Sequence, residues 1–246
     1  MLLLAFDTAT PAVTVAVHDG ARVLAHTVTV DARRQGELLA SHIEKVLARA
    51  GVSLAELTAI VAGVGPGPYT GLRTGLVTAR VLGAALGIDV HGLCTLDVIA
   101  SDAVAAAAGR PFLVGTDARR REVYWARYSP AGERLSGPGV AAPASLPAGL
   151  PTAGEGAVAY PGLLGEPIAP RFPSAATLAG LAAQRLAAQR LAAQRPTAGR
   201  PAVGDGLLPP EPLYLRRPDA RVPGPPKSVL AAADRASRAA SGATPA

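Results

Sequence analysis

Residues 63–80 read GVGPGPYTGLRTGLVTAR, a glycine-rich turn that runs straight into a helical pattern. Such a turn either cradles a phosphate or acts as a stiff joint fixing the entry of a helix. A Walker loop needs G-x-x-x-x-G-K-[ST], and no lysine lies near this segment. A dinucleotide fingerprint needs a third glycine, and Pro68 stands in its place. A phosphate nest works through backbone N–H groups, and Pro66 and Pro68 each delete one. The pattern therefore favours the joint, with the helix start at Thr70 and Gly71 as the remaining feature that attracts anions.

The helix that follows is apolar or small nearly all round. At 100° per residue, Leu72, Leu76, Ala79, Gly83 and Leu86 fall in one arc, and Val77, Val81, Ala84 and Ile88 in a second. Arg73 and Arg80 are its charged residues and share a narrow stripe. One arc can pack on a sheet. The rest needs a cover, because each large apolar side chain left wet forfeits about 1.5–3 kcal/mol. The cover is either the chain's own first helix and second lobe or a partner protein, and spacing alone leaves both open.

Around this segment the apolar period alternates between strand and helix. LLLAF (2–6), AVTVAVHDG (12–20) and ARVLAHTVTV (21–30) read as an antiparallel meander. Residues 36–50 switch to a helical period and stop at Gly51, and Ser53 with Glu56 forms a capping box for a short helical turn. LTAIVAGVG (57–65) is a strand, 70–87 a helix, DVHGLC (89–94) a strand and 95–108 a helix. This is a mixed α/β layer pattern. A second unit begins near Gly109-Arg110-Pro111 with strand, turn and strand in PFLVGTDARRREVYWARYSP, and the Gly/Pro-rich sequence to about 170 allows short strands at best. Pro173-Ser174 opens a helix ending at Pro196 that contains LAAQRLAAQRLAAQR (181–195). A five-residue period turns each Leu by about 140° and specifies no single face. The predicted organisation is a lobe over 1–108, a smaller degenerate lobe over 109–217 and a disordered basic tail over 218–246.

The formal charge of +6 is uneven: residues 216–246 carry +4 and the remaining 215 only +2. A body near neutrality argues against a dedicated nucleic-acid surface. One cysteine, Cys94, excludes an intramolecular disulfide and a cysteine zinc cluster. No apolar run is long enough to span a bilayer, and the N-terminus lacks the basic start of a signal peptide, so a cytoplasmic setting is expected. The four histidines, at 18, 26, 42 and 91, have no metal spacing, and no G-x-S-x-G elbow is present. Asp7, at the end of the first strand, is of the type that holds a magnesium-bound water beside a phosphate, or that closes an Asx turn. DARRREVY (117–124) reads as a hairpin tip with local ion pairs.

Together LLLAFDTATPAVTVAVHDG, GELLASHIEKVLARAG, LTAIVAGVGPGPYTGLRTGLVTARVLGAALGI and TDARRREVYWARY resemble the TsaB (YeaZ) family. The likeness is strong to about residue 130 and fainter through GEGA (154–157) and EPLYLRR (211–217). Gln35 stands where relatives usually have His, and Ser41 where they usually have Pro. The resemblance implies an α/β actin/sugar-kinase/Hsp70-like (ASKHA) fold of two lobes, each with a mixed sheet and helices. It implies a non-catalytic subunit that pairs with a catalytic TsaD-like subunit and a TsaE-like ATPase in threonylcarbamoyl modification of tRNA. On that basis the chain holds no cofactor of its own, ATP is used by its partners, tRNA is met through the complex, and the lone subunit can form a homodimer. Asp7 becomes a vestigial nucleotide-site residue. The family's helix-bundle contact places the partner interface on Leu39, Ile43, Leu72, Arg73, Leu76, Ala79, Arg80 and Gly83. Leu76→Asp or Gly83→Trp should then abolish co-purification and leave the fold intact. The alternative is a small-molecule kinase or ATPase of the same fold, which would require a glycine-bearing second hairpin and an adenosine pocket in the second lobe. A third alternative, direct tRNA binding through the tail, predicts a salt slope that falls when 218–246 are removed.

Overall fold

The computed structural model describes residues 1–193 and 206–216. Its strands form two five-stranded sheets that follow the same path. In the first, β1 (Leu3–Asp7), β2 (Ala12–His18) and β3 (Val23–Val30) form the predicted antiparallel meander, while β4 (Ala59–Gly63) and β5 (Asp89–Leu93) run parallel to β1 on its other side. In the second, β6 (Phe112–Asp117), β7 (Val123–Tyr128) and β8 (Arg134–Ala141) are antiparallel, and β9 (Thr152–Ala153) and β10 (Pro167–Ile168) extend the sheet in parallel from β6. Two sheets with one strand order are the duplicated α/β architecture of actin/sugar-kinase/Hsp70-like proteins.

Each side-chain parity of the first sheet has its own cover. Leu4, Phe6, Val13, Val15, Val17, Ile60 and Ala62 meet the helices α1 (Gln35–Ala50) and α2 (Tyr69–Leu86). Leu3, Ala5, Ala59 and Val61 meet α5 (Ala175–Ala193). With both faces covered, β1, β2 and β4 are wholly buried, which is why β1 reads as an unbroken apolar run. Gly51 ends α1 in the left-handed conformation, and Ser53 with Glu56 closes the expected capping box on a 3₁₀ turn.

Three features depart from the sequence expectation. First, the Gly/Pro-rich stretch after β7 holds an eight-residue strand, β8, at the sheet edge, where Pro138 is tolerated. Second, α5 packs on the first sheet, although the sequence places it with the second lobe; Ala175 N donates to Thr14 Oγ1 at 3.0 Å. Third, residues 206–215 also return to the first lobe. Leu208 exchanges main-chain bonds with Gly92, and Leu213 N donates to Val64 O at 2.9 Å. The five-residue repeat behaves as its period dictates: Leu186 is buried, Leu181 is half-buried and Leu191 is 61% exposed. Residues 194–195 of that repeat, the helix end at Pro196 and the 218–246 tail lie outside the described residues.

The second sheet is covered more thinly. α3 (Thr95–Ala103) packs against Phe112, Val114, Ala126 and Tyr128, and α4 (Glu155–Ala159), five residues long, lies against β6 on the opposite side. Tyr128 OH donates to Asp97 Oδ1 at 2.8 Å, joining the two elements. Cys94, buried at the start of α3, has its thiol pushed up to about 12 by desolvation, which makes it a small apolar side chain rather than a nucleophile. Among the described residues no helix is long and apolar enough to cross a membrane.

Candidate functional site

The glycine loop answers its question through its neighbours. Asp7, at the carboxyl end of β1, is 1% exposed. Its Oδ1 accepts from Ala9 N at 2.7 Å and its Oδ2 from the Thr95 hydroxyl at 2.7 Å. Thr95 Oγ1 in turn accepts from Gly65 N at 3.1 Å, and Thr95 N donates to Gly65 O at 2.8 Å. The loop, the end of β1 and the start of α3 are thus tied into one buried network. Burial raises the Asp7 carboxyl above its usual range, against the lowering effect of the Thr95 and Ala9 bonds.

The glycines make room for protein rather than for phosphate. A Cβ on Gly63 would run into the Asp7 carboxylate, one on Gly67 into Ala9 O, and one on Gly75 would approach Thr8 Oγ1 to 2.5 Å. Loop and helix are pressed onto the turn between β1 and β2. Gln35 braces the same turn from α1: its Nε2 donates to Thr8 O at 3.1 Å and to Thr10 O at 2.7 Å. The Thr8 hydroxyl donates to Gly71 O at 2.7 Å. Asp7 is therefore the closing residue of an Asx-type turn, and Thr8, Gln35 and Thr95 are site residues that sequence spacing did not single out.

The second lobe shows the same use of glycine. A Cβ on Gly154 would run into Gly115 O, and Gly156 packs on Gly115 as well. The hairpin tip between β6 and β7 is held by Asp117, which accepts from Arg119 N at 2.8 Å and pairs with the Arg119 guanidinium at 3.3 Å. Arg119, Arg120 and Arg121 all have left-handed backbone, φ 62°, 55° and 62°. A cavity of about 220 Å³ lies at the far edge of the first sheet, lined by Met1, Thr58, Asp89, His91, Leu186 and Arg190, and Asp7 does not line it. Among the described residues no group of three His, Cys, Asp or Glu side chains could hold a metal ion.

The proposed interface requires a correction. Leu39, Ile43, Leu72, Leu76 and Ala79 are 0–6% exposed, Gly83 is also buried, and the five large side chains belong to the core under α1 and α2. They face the chain's own sheet and are packed in its core. Of the eight residues, Arg73 and Arg80 are exposed. The exposed arc of α2 is the other one: Val77 is 58% and Val81 61% exposed, and Tyr69 at the helix start is 56% exposed. Tyr69 stacks on Tyr214 with ring centroids 5.7 Å apart, the Arg73 guanidinium lies 3.8 Å over the Tyr69 ring, and Arg73 Nε donates to Tyr214 OH at 2.8 Å. Two stretches read separately in the sequence, GPGPYTGLR and EPLYLRR, meet at this point.

Comparison with known proteins agrees with this architecture. The TsaD family model, described as tRNA N6-adenosine threonylcarbamoyltransferase, matches residues 22–194. An uncharacterized protein of Mycobacterium tuberculosis (strain H37Rv) is 44% identical over 222 residues, 89% of this chain and 93% of that one. The tRNA threonylcarbamoyladenosine biosynthesis protein TsaB of Escherichia coli K12 is 34% identical over 128 residues, 52% of this chain and 55% of that protein. The structure of YeaZ from Pseudomonas aeruginosa superposes with a TM-score of 0.67 at 28% identity, covering 77% of this chain and 93% of that one. The family match over most of the chain, the TsaB relative and the superposition on YeaZ lead to one conclusion: the chain belongs to the TsaB (YeaZ) family.

Proposed function

We propose that this chain serves tRNA threonylcarbamoyladenosine synthesis as a non-catalytic assembly subunit. In this reading it pairs with a TsaD-like catalytic subunit, a TsaE-like ATPase joins the pair, and tRNA is met through the complex in the cytoplasm. The observation that carries the proposal is the outer arc of α2. Val77 and Val81 stand in the open beside Arg73 and Arg80, while the inner arc is spent on the chain's own core. Apolar side chains lined up on an exposed helix ridge suit packing against a second helix. Without the catalytic partner the same arc would pair two copies of this chain.

Asp7 supports the non-catalytic part. Both of its carboxylate oxygens are engaged by protein donors, and the loop over it supplies prolines where a nest needs N–H groups. Size-exclusion of the full chain, with and without the TsaD-like subunit of the same organism, tests the pairing. Co-elution at micromolar concentration is expected, and independent elution overturns it. Titration of the lone chain with Mg-ATP in a calorimeter tests the non-catalytic part: no saturable heat is expected, and a stoichiometric ATP site with turnover overturns it.

A further inference from the structure

We infer that residues 206–215 build part of the partner-binding face, with Tyr214 holding Arg73 so that the outer edge of its guanidinium receives a carboxylate from a helix of the partner. The inference rests on the proposal that the outer arc of α2 meets the partner, and adds to it the place where binding is concentrated and the side-chain chemistry required opposite.

Tyr69, Arg73, Val77 and Val81 follow one another at intervals of four and form a single ridge along α2. At its amino end the ridge is an aromatic–arginine unit rather than a loose side chain. The Arg73 guanidinium lies over the Tyr69 ring face, its Nε donates to the Tyr214 hydroxyl, and the residue is exposed. A free arginine is among the most mobile side chains; here much of the entropy lost on binding is already lost in the unbound chain. Tyr and Arg are also the residue types that carry most energy in protein interfaces.

The 206–215 segment is fixed well enough to set this unit. Leu213, next to Tyr214, donates its N–H to Val64 O, and Leu208 is paired with Gly92. A brace made only for stability would bury its rings, yet Tyr69 is 56% and Tyr214 46% exposed. Charge identifies the occupant. α2 contains no acidic residue, and among the described residues no carboxylate pairs with Arg73 or Arg80. A planar guanidinium with an open edge matches a carboxylate bidentately. Stacked tyrosines beside an arginine would also suit an unpaired RNA base, but the ridge continues into two valines, which suit a helix and give nothing to a phosphate backbone.

The test uses the full chain and the TsaD-like subunit of the same organism, with affinity measured by calorimetry and folding by thermal melting. Tyr214→Phe keeps the stack and removes the hydroxyl; Arg73→Lys keeps the charge and removes the planar fork. Each is expected to weaken binding about tenfold, with the melting temperature unchanged and the double variant little worse than either single one. Val81→Asp, on the ridge but outside the aromatic unit, should abolish binding. If Val81→Asp abolishes binding while Tyr214→Phe binds like the wild type, the inference is wrong and the interface stands. If Val81→Asp binds normally, the interface and the inference fall together. A Tyr214→Phe protein that melts earlier in proportion to its lost affinity makes the unit a brace. Lost tRNA affinity of the lone chain with partner affinity intact makes it an RNA contact. Either outcome overturns the inference.

Discussion

Leu76 and Val77 are neighbours in sequence, one turned into the core and one into solvent, so a single substitution repeated at both positions separates core from interface. Leu76 is 3% exposed and packed in the core beneath α1 and α2. Leu76→Asp removes about 1.5–3 kcal/mol of apolar burial and adds a carboxylate that costs several kcal/mol more to bury or to protonate. The sum approaches the whole stability of a typical domain, about 5–15 kcal/mol. The variant is therefore expected to unfold, contrary to the sequence-based expectation of a folded, non-pairing subunit. Val77 is 58% exposed, so Val77→Asp forfeits only the remaining contact, under about 1 kcal/mol, and its helix propensity is similar. It should keep the native circular dichroism and melt within a few degrees of the wild type. Against a partner helix the same carboxylate must be desolvated beside Val81, which costs at least about 2–3 kcal/mol, a loss of about thirtyfold to more than a hundredfold in affinity. Circular dichroism, thermal melting and calorimetric binding to the TsaD-like subunit check all three statements. A folded Leu76→Asp protein, or a Val77→Asp protein that binds normally, would refute the assignment of the two faces.

Three further outcomes follow from the same packing. Gly75→Ala would ordinarily gain about 0.5–1 kcal/mol in a helix; here the added methyl meets Thr8 Oγ1, whose hydroxyl is bonded to Gly71 O, and a net loss of about 1–3 kcal/mol is expected as a lower urea midpoint. Burial lowers His18, His42 and His91 from the usual histidine range, so the stability they permit is full above about pH 6.5 and is lost as pH falls through their folded-state values. The melting temperature should drop between pH 7.5 and 5.5, with a shallower slope in His42→Gln; a flat profile would contradict it. Asp7 acts in the opposite sense, because its raised carboxyl favours folding fully below about pH 3.8 and loses that advantage as pH rises through its folded-state value. Arg121→Gly relieves one left-handed residue in the β6–β7 hairpin tip and should raise stability by about 1 kcal/mol, or about 2–4 °C in melting temperature, whereas a lower value would mean that the Arg side chain holds the tip.

The first lobe was legible because its signals are local. The β1–β3 meander, the period change at residue 36 and the stop at Gly51 each follow from a few neighbouring residues. The strand β8 was hidden because Gly137, Pro138 and Gly139 are turn residues by composition and edge-strand residues by position. The home of α5 was hidden because an alanine-rich helix with a five-residue repeat advertises no face. The two arcs of α2 were legible as arcs, but Leu and Val are too alike for period alone to assign one to the sheet. The deciding signal lay in the small residues. Gly71, Gly75, Ala79 and Gly83 share the inner side, where the helix presses on Thr8, Gln35 and Val90. Close backbone approach needs glycine, so the glycine-bearing arc is the one that meets the chain's own strands. The stack of Tyr69 on Tyr214 had no local signal, since it joins residues far apart in the sequence.

In both lobes, polar groups and glycines at the ends of the strands are satisfied within the chain itself. In the first lobe the carboxylate at the end of β1 is consumed by Thr95 and Ala9, and three glycines bring loop and helix onto the turn beside it. In the second, Gly154 and Gly156 close on Gly115. Rigidity at the joint has a direct consequence for binding: α2 is fixed through Thr8, Gln35 and the 206–215 segment, so the ridge of Tyr69, Arg73, Val77 and Val81 is presented without reorganisation. A preorganised ridge lowers the entropy lost on association.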